Sequence, residues 1–284
     1  VQVIWVIGIS MIVMAALIYL PIKAVGAVGV GMIAIHNLFD RFQVPPETAF
    51  MGTPPPDLSQ ILMMVFHQQG LVPIPGTTGL FVAYPLIPWI GVMAAGYAFG
   101  MLYAAERGRR RKWLAVLGVT LTLLFIVIRL TNAYGDPSAW AVQDTPGFTF
   151  LSFLNTTKYP PSLLFLLMTL GPAMLVLAVT DNIDGKAIWQ RICITFGRVP
   201  MFFYILQWFT AHLAGIFLSW LAGKDISYFF GNVMAGGQAP PADAGFPLWV
   251  VYAAWLGGLI ILYPLCVWWG GLKRRNKHWI FSYL

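Results

Sequence analysis

Charge is scarce in this chain of 284 residues: Asp, Glu, Lys and Arg together make up 10% of it, against 59% hydrophobic residues and a mean hydropathy of +0.75. Soluble domains carry about 25% charge, so an ordinary globular surface is excluded. Cysteine is rarer still. Only Cys193 and Cys266 are present, which leaves no disulfide framework and no paired-Cys metal or redox motif. P-loop, HExxH and GxSxG strings are all missing. The four histidines, at 36, 67, 212 and 278, are scattered, so no metal centre is expected. Basic residues do not interleave with aromatics, and no nucleic-acid surface is expected either. The chain starts at Val1 with apolar sequence and no basic n-region or cleavage site, which reads as a truncated start rather than a signal peptide.

What is present is a series of long apolar runs. Seven spans follow from hydropathy, at 3–20, 22–39, 80–104, 113–130, 161–180, 199–222 and 248–270. Each should be a helix, because a segment in lipid must satisfy its own backbone hydrogen bonds. The expected fold class is therefore all-α: a polytopic transmembrane bundle forming one domain over 1–284, with a short interfacial or re-entrant helix around "MMVFHQQG". Pro21 suits the start of a helix and predicts a tight hairpin between the first two spans. The stretch "VPPETAFMGTPPPD" cannot be regular helix and reads as loop.

Orientation follows from the basic residues. With "ERGRRRK" at 106–112 on the cytoplasmic side, Lys23, the 181–198 connection and the terminal "KRRNK" fall there too. Only Arg41, Arg129, Lys158 and Lys224 of the 17 Lys and Arg are left outside. The N-terminus of this chain is expected outside and its C-terminus in the cytoplasm.

That orientation brings the second span outward, so the polar end of "GMIAIHNLFDRF" sits at the outer mouth. His36 and Asp40 are four apart and would share a helical face, the carboxylate orienting the imidazole as a general base. Asn37, turned away, would donate to an oxyanion. The blander alternative has Asp40 capping the helix and His36 bonding a neighbouring helix. His67, Arg129, Asn132, Asp136, Asn155, Lys158 and Tyr159 converge on the same side. Separately these suit a loop helix, a Gly-Asp-Pro turn and an interfacial anchor. Together they suggest a pocket for a polar or anionic ligand, with Arg129, Asn132, Lys158, Tyr159 and His67 binding substrate. In the sixth span, Gln207 and His212 read as partners in hydrogen bonds between helices.

The blocks "GMIAIHNLFD", "YPLIPWIGVMAAGYAFG", "IRLTNAYGDP", "LSFLNTTKYPPSLLFLLMTLGP" and "GRVPMFFYILQ" resemble, in order and spacing, the bacterial membrane proteins related to heparan-alpha-glucosaminide N-acetyltransferase. The resemblance covers nearly the whole chain, and "LNTTKYPPSLLFLLMTLGP" is its strongest piece. It implies a transmembrane acyltransferase fold in a bacterial cytoplasmic membrane. Acetyl-CoA would be the acyl donor and the amine or hydroxyl of an extracytoplasmic glycan the acceptor. Arg109, Arg110 and Arg111 would then meet the phosphates of CoA, although their plainer role is to set topology. The family's basic first segment and its histidine-bearing motif have no counterpart here. Three preceding spans are therefore expected in the complete protein, and the family's principal candidate catalytic residue would lie among them.

A second reading is a non-catalytic subunit that keeps the acyltransferase fold and packs in a larger membrane complex, with the 12 Trp suited to lipid or subunit contacts. A transporter of small anions comes third, without a visible inverted repeat to support it.

Overall fold

The computed structural model describes residues 3–76, 79–231, 240–276 and 278. It is an all-α polytopic helix bundle. Among the described residues six helices are long and apolar enough to cross a membrane: Ile22–Phe42, Leu86–Ala104, Arg107–Thr131, Leu163–Thr180, Pro200–Leu221 and Leu248–Arg275. The expected first span differs. Its helix α1, Val3–Leu17, has 15 residues, fewer than the roughly 20 a crossing needs. The chain divides into two compact units, Val1–Asn182 and Ile183–Leu284.

In the first unit, α2 (Ile22–Ile35) starts at Pro21, whose carbonyl accepts from the Ala24 and Val25 amides. It runs antiparallel to α4 (Leu86–Phe99), and glycine sets how closely they approach. A Cβ on Gly29 would lie 2.4 Å from the Ala95 nitrogen and 2.8 Å from the Gly91 oxygen. Helix packing in lipid relies on such small residues. Gly29→Ala must push backbone apart, and it is expected to cost about 1–3 kcal/mol. Gly8→Ala, with nothing within 4 Å, is expected to change stability by less than about 0.5 kcal/mol. Parallel thermal melts of the two variants in detergent check this pair. The helix α1 packs beside α4 through Val6, Leu86 and Ile90 at one end and Met14 and Ala94 at the other.

The second helix pair is α5 (Arg107–Thr131) against α7 (Leu163–Thr180). Gly118 and Gly171 again remove side chains at the contact, where Thr122 and Leu175 fill the space. Polar groups lock one end of this pair: the Arg110 guanidinium donates to both Asp181 carboxylate oxygens at 2.8 and 3.1 Å, and Arg111 donates to the Ala178 carbonyl.

Between α2 and α4 the chain departs from the expected plain loop and span. Glu47–Met51 form one wide helical turn, started by Pro45 and Pro46, which need no amide partner there, and ended by Gly52 at φ +68°. The short helix α3 (Leu58–Phe66) is held by an Asp57 and Gln60 capping box. Residues 80–82 are strand rather than the start of a span: β1 (Gly70–Val72) pairs antiparallel with β2 (Leu80–Val82). Pro73, Pro75, Gly76 and Gly79 in the connection forbid helix there, and α4 begins only after Pro85. The remaining helix of this unit, α6 (Pro146–Leu154), lies in the connection between α5 and α7.

In the second unit, α8 (Ile188–Arg198) is short, α9 (Pro200–Leu221) and α10 (Leu248–Arg275) are long, and Phe202 stacks on Trp269 at 4.8 Å. Gln207 lines a largely apolar cavity of about 310 Å³ between α9 and α10, and His212 packs edge-on against Phe229.

Candidate active site

The helix α2 tightens at its end into a 3₁₀ segment, His36–Phe42. This changes who meets whom. A 3₁₀ turn eclipses i and i+3, so Asn37, not His36, lies over Asp40. The Asn37 amide donates to Asp40 Oδ2 at 2.8 Å, and its oxygen accepts from the Leu163 amide in the first turn of α7. Asn37 thus positions Asp40 and joins the two helix pairs. The expected His36 and Asp40 pairing is corrected. Asp40 Oδ1 instead lies 2.8 Å from Nε2 of His67, at the end of α3.

His67 is placed by the elements around it. Its own amide bonds back to the Met63 carbonyl, and the next residue, Gln68, exchanges two hydrogen bonds with the Val44 backbone. Gln69 donates to the Ala83 carbonyl, which pins the hairpin alongside. The imidazole of His36, 1% exposed, packs 5.5 Å from that of His67, centroid to centroid. Neither ring nitrogen of His36 has a hydrogen-bond partner, and neither does Nδ1 of His67. With Nε2 against Asp40, Nδ1 of His67 is the buried ring nitrogen left without a partner.

His67 lines two cavities. One, of about 310 Å³, is polar and includes Asp40, Gln68, Gln69, Thr157 and Tyr159. The other, of about 650 Å³, is mostly apolar and includes Phe39, Phe42, Leu62, Met63 and Phe66.

The other expected substrate contacts divide sharply. Arg129 is 1% exposed, and its guanidinium donates to the carbonyls of Ser138, Ser152, Phe153 and Asn155, which ties α5 to α6 and the loops around it. Asn132 closes α5 at φ +50° and exchanges hydrogen bonds with the Trp140 backbone. Asp136 accepts from Thr157, Ser138 and Ser162 and so braces the start of α7. Tyr159 does line the polar cavity, with the Lys158 ammonium 5.1 Å from its ring centre. Its hydroxyl meets that of Tyr84 at 3.3 Å, and these two neighbours hold the phenol pKa below its usual value, the Tyr84 hydrogen bond first and Lys158 next. Tyr84→Phe is therefore expected to move the Tyr159 ionisation upward, read by NMR titration of ring-labelled tyrosine. The Tyr134 hydroxyl bonds to the Ala34 carbonyl, and burial, with Asp40 adding to it, pushes that phenol up.

Arg109, Arg110 and Arg111 lie far from this site. Twenty residues of α5 separate Arg109 from Arg129, about 30 Å at 1.5 Å per residue. Arg110 and Arg111 are committed to α7, so they do not fit the expected phosphate clamp; Arg109 lines a cavity of about 360 Å³ with Phe99, Leu102 and Trp113. Among the described residues no three of His, Cys, Asp and Glu gather as a metal set.

No known protein family, curated protein or solved structure matches the chain. The pairing of His67 with Asp40, and the way Gln68 and Gln69 pin the backbone beside it, was not legible from sequence as a connected unit. Its signal was the polar "HQQG" string closing an apolar helix.

Proposed function

We propose that the chain is an integral membrane acyltransferase that moves an acetyl or short acyl group from cytosolic acyl-CoA to an amine or hydroxyl of an extracytoplasmic sugar. Its membrane is a bacterial cytoplasmic membrane, with the Arg107–Lys112 end of α5 inside. The observation that carries this reading is His67: oriented by Asp40, it lines both a polar cavity suited to the acceptor and an apolar one suited to the acyl thioester. The sequence blocks that resemble the glucosaminide acetyltransferases support the same chemistry.

In this reading the imidazole of His67 takes the proton from the acceptor as its oxygen or nitrogen attacks the thioester carbonyl. Asp40 holds the Nε2–H and stabilises the imidazolium that forms. Collapse of the tetrahedral intermediate breaks the carbon–sulfur bond, and the leaving thiolate takes the proton back from His67. Asn37 fixes Asp40, and Tyr159, Gln68 and Gln69 shape the acceptor side.

The test is transfer of label from acetyl-CoA to a cell-envelope extract by the chain in proteoliposomes. Label in a sugar-containing product is expected. The absence of transfer by folded protein, with both amine and hydroxyl acceptors supplied, would favour a non-catalytic subunit of a membrane complex. That second reading has one observation of its own: Arg129, Asn132 and Asp136 are all engaged in hydrogen bonds that brace the connections between helices.

A further inference from the structure

The helix α8 is the most two-faced in the molecule. At 100° per residue, Ile188, Trp189, Ile192, Cys193 and Phe196 fall within an arc of about 140°. Gln190, Arg191, Thr195 and Arg198 take the opposite arc, with Ile194 the one large apolar residue among them. Phe196 anchors the apolar side to the long helices, 4.9 Å from Phe203 and 5.9 Å from Tyr263. Farther along the same arc Ile188 is 77% and Trp189 56% exposed. The chain then breaks at Val199, and Pro200 starts α9 as a separate helix.

Charge near this helix is mostly positive, and the one acid beside it, Asp184, pairs with Lys186 at 3.1 Å. Val199 packs beside Gly270 of α10, one turn before Lys273, Arg274 and Arg275. With Lys186, Arg191 and Arg198 these face a single acid nearby in the same unit, Asp184. An exposed apolar arc beside two long apolar helices, backed by cations, is how an interfacial helix meets a lipid surface.

We propose that α8 lies in one membrane interface, its apolar arc among acyl chains, and that Arg191 and Arg198 with the basic end of α10 bind the headgroups of anionic phospholipids. The site is separate from His67 and does not depend on the acyltransferase reading.

The experiment uses the whole chain with Cys266→Ser, reconstituted in vesicles of phosphatidylcholine alone or with phosphatidylglycerol. A nitroxide on Cys193 reports the apolar arc; one on Gln190→Cys, with Cys193→Ser, reports the polar arc. Expected are greater collision with oxygen than with a water-soluble nickel complex at 193, and the reverse at 190. Lipid mass spectrometry of the purified chain is expected to show enrichment of phosphatidylglycerol, falling about fivefold for each arginine in Arg191→Gln and Arg198→Gln. Greater nickel access at both positions, or a label at 193 shielded from both reagents, would overturn the interfacial helix. Equal retention of both lipids by wild type would overturn the anionic site.

Discussion

Arg129→Met is expected to destabilise the fold by about 1–3 kcal/mol, the range for losing hydrogen bonds from a buried charged group to part-buried acceptors. Four carbonyls from two stretches of chain, Ser138 and Ser152–Asn155, converge on one planar guanidinium. Without it those part-buried oxygens lose their donor, α6 loses its tie to α5, and the two loops that carry Asp136 and Thr157 are freed. Arg129→Lys is expected to fare little better, because a single ammonium cannot reach the positions that five forked donors reach. Thermal melting in detergent checks both. A ligand-binding arginine would behave differently: its loss would leave the melting temperature in place and weaken only substrate binding.

Asp40→Asn is expected to lower the acyl-transfer rate by about 10²–10⁴, the usual size of a general-base contribution. The substitution keeps the shape. The carboxamide that replaces the carboxylate would still reach the His67 ring and the Asn37 amide, so the protein is expected to melt within a few degrees of wild type. What is lost is the negative charge that fixes the Nε2–H tautomer and stabilises the imidazolium. Asn37→Ala should act in the same direction with a smaller effect on rate, and it should also loosen the start of α7, because the Leu163 amide loses its acceptor. Rate and melting temperature measured on the same preparations separate the two roles.

Much of the architecture was readable because hydropathy alone dictates it. Unbroken apolar runs in lipid have few alternatives to helix, and the spans at 161–180, 199–222 and 248–270 appear as helices with nearly those bounds. Residues 80–85 did not follow, since periodicity over a short apolar run cannot separate strand from helix, and the deciding partner, Gly70–Val72, lies across a proline-rich turn.

The site was legible in part for a similar reason. His36, Asn37 and Asp40 were visible as rare polar residues at a helix end. Their pairing was not, because it depends on whether that end is wound with 3.6 or 3 residues per turn. The helix pattern predicted His36 over Asp40; the tighter turn puts Asn37 there and sends the carboxylate to His67, 27 residues away. Arg129 was misread for a different cause: its partners are backbone carbonyls, which carry no residue-type signal in a sequence.

The most direct test is the rate of labelled acyl transfer by His67→Gln beside wild type, with the melting temperature measured on each sample. The account predicts a loss of about 100-fold or more in a protein that still melts near the wild-type temperature. Transfer within a few-fold of wild type would contradict it, and would remove His67 from the chemistry.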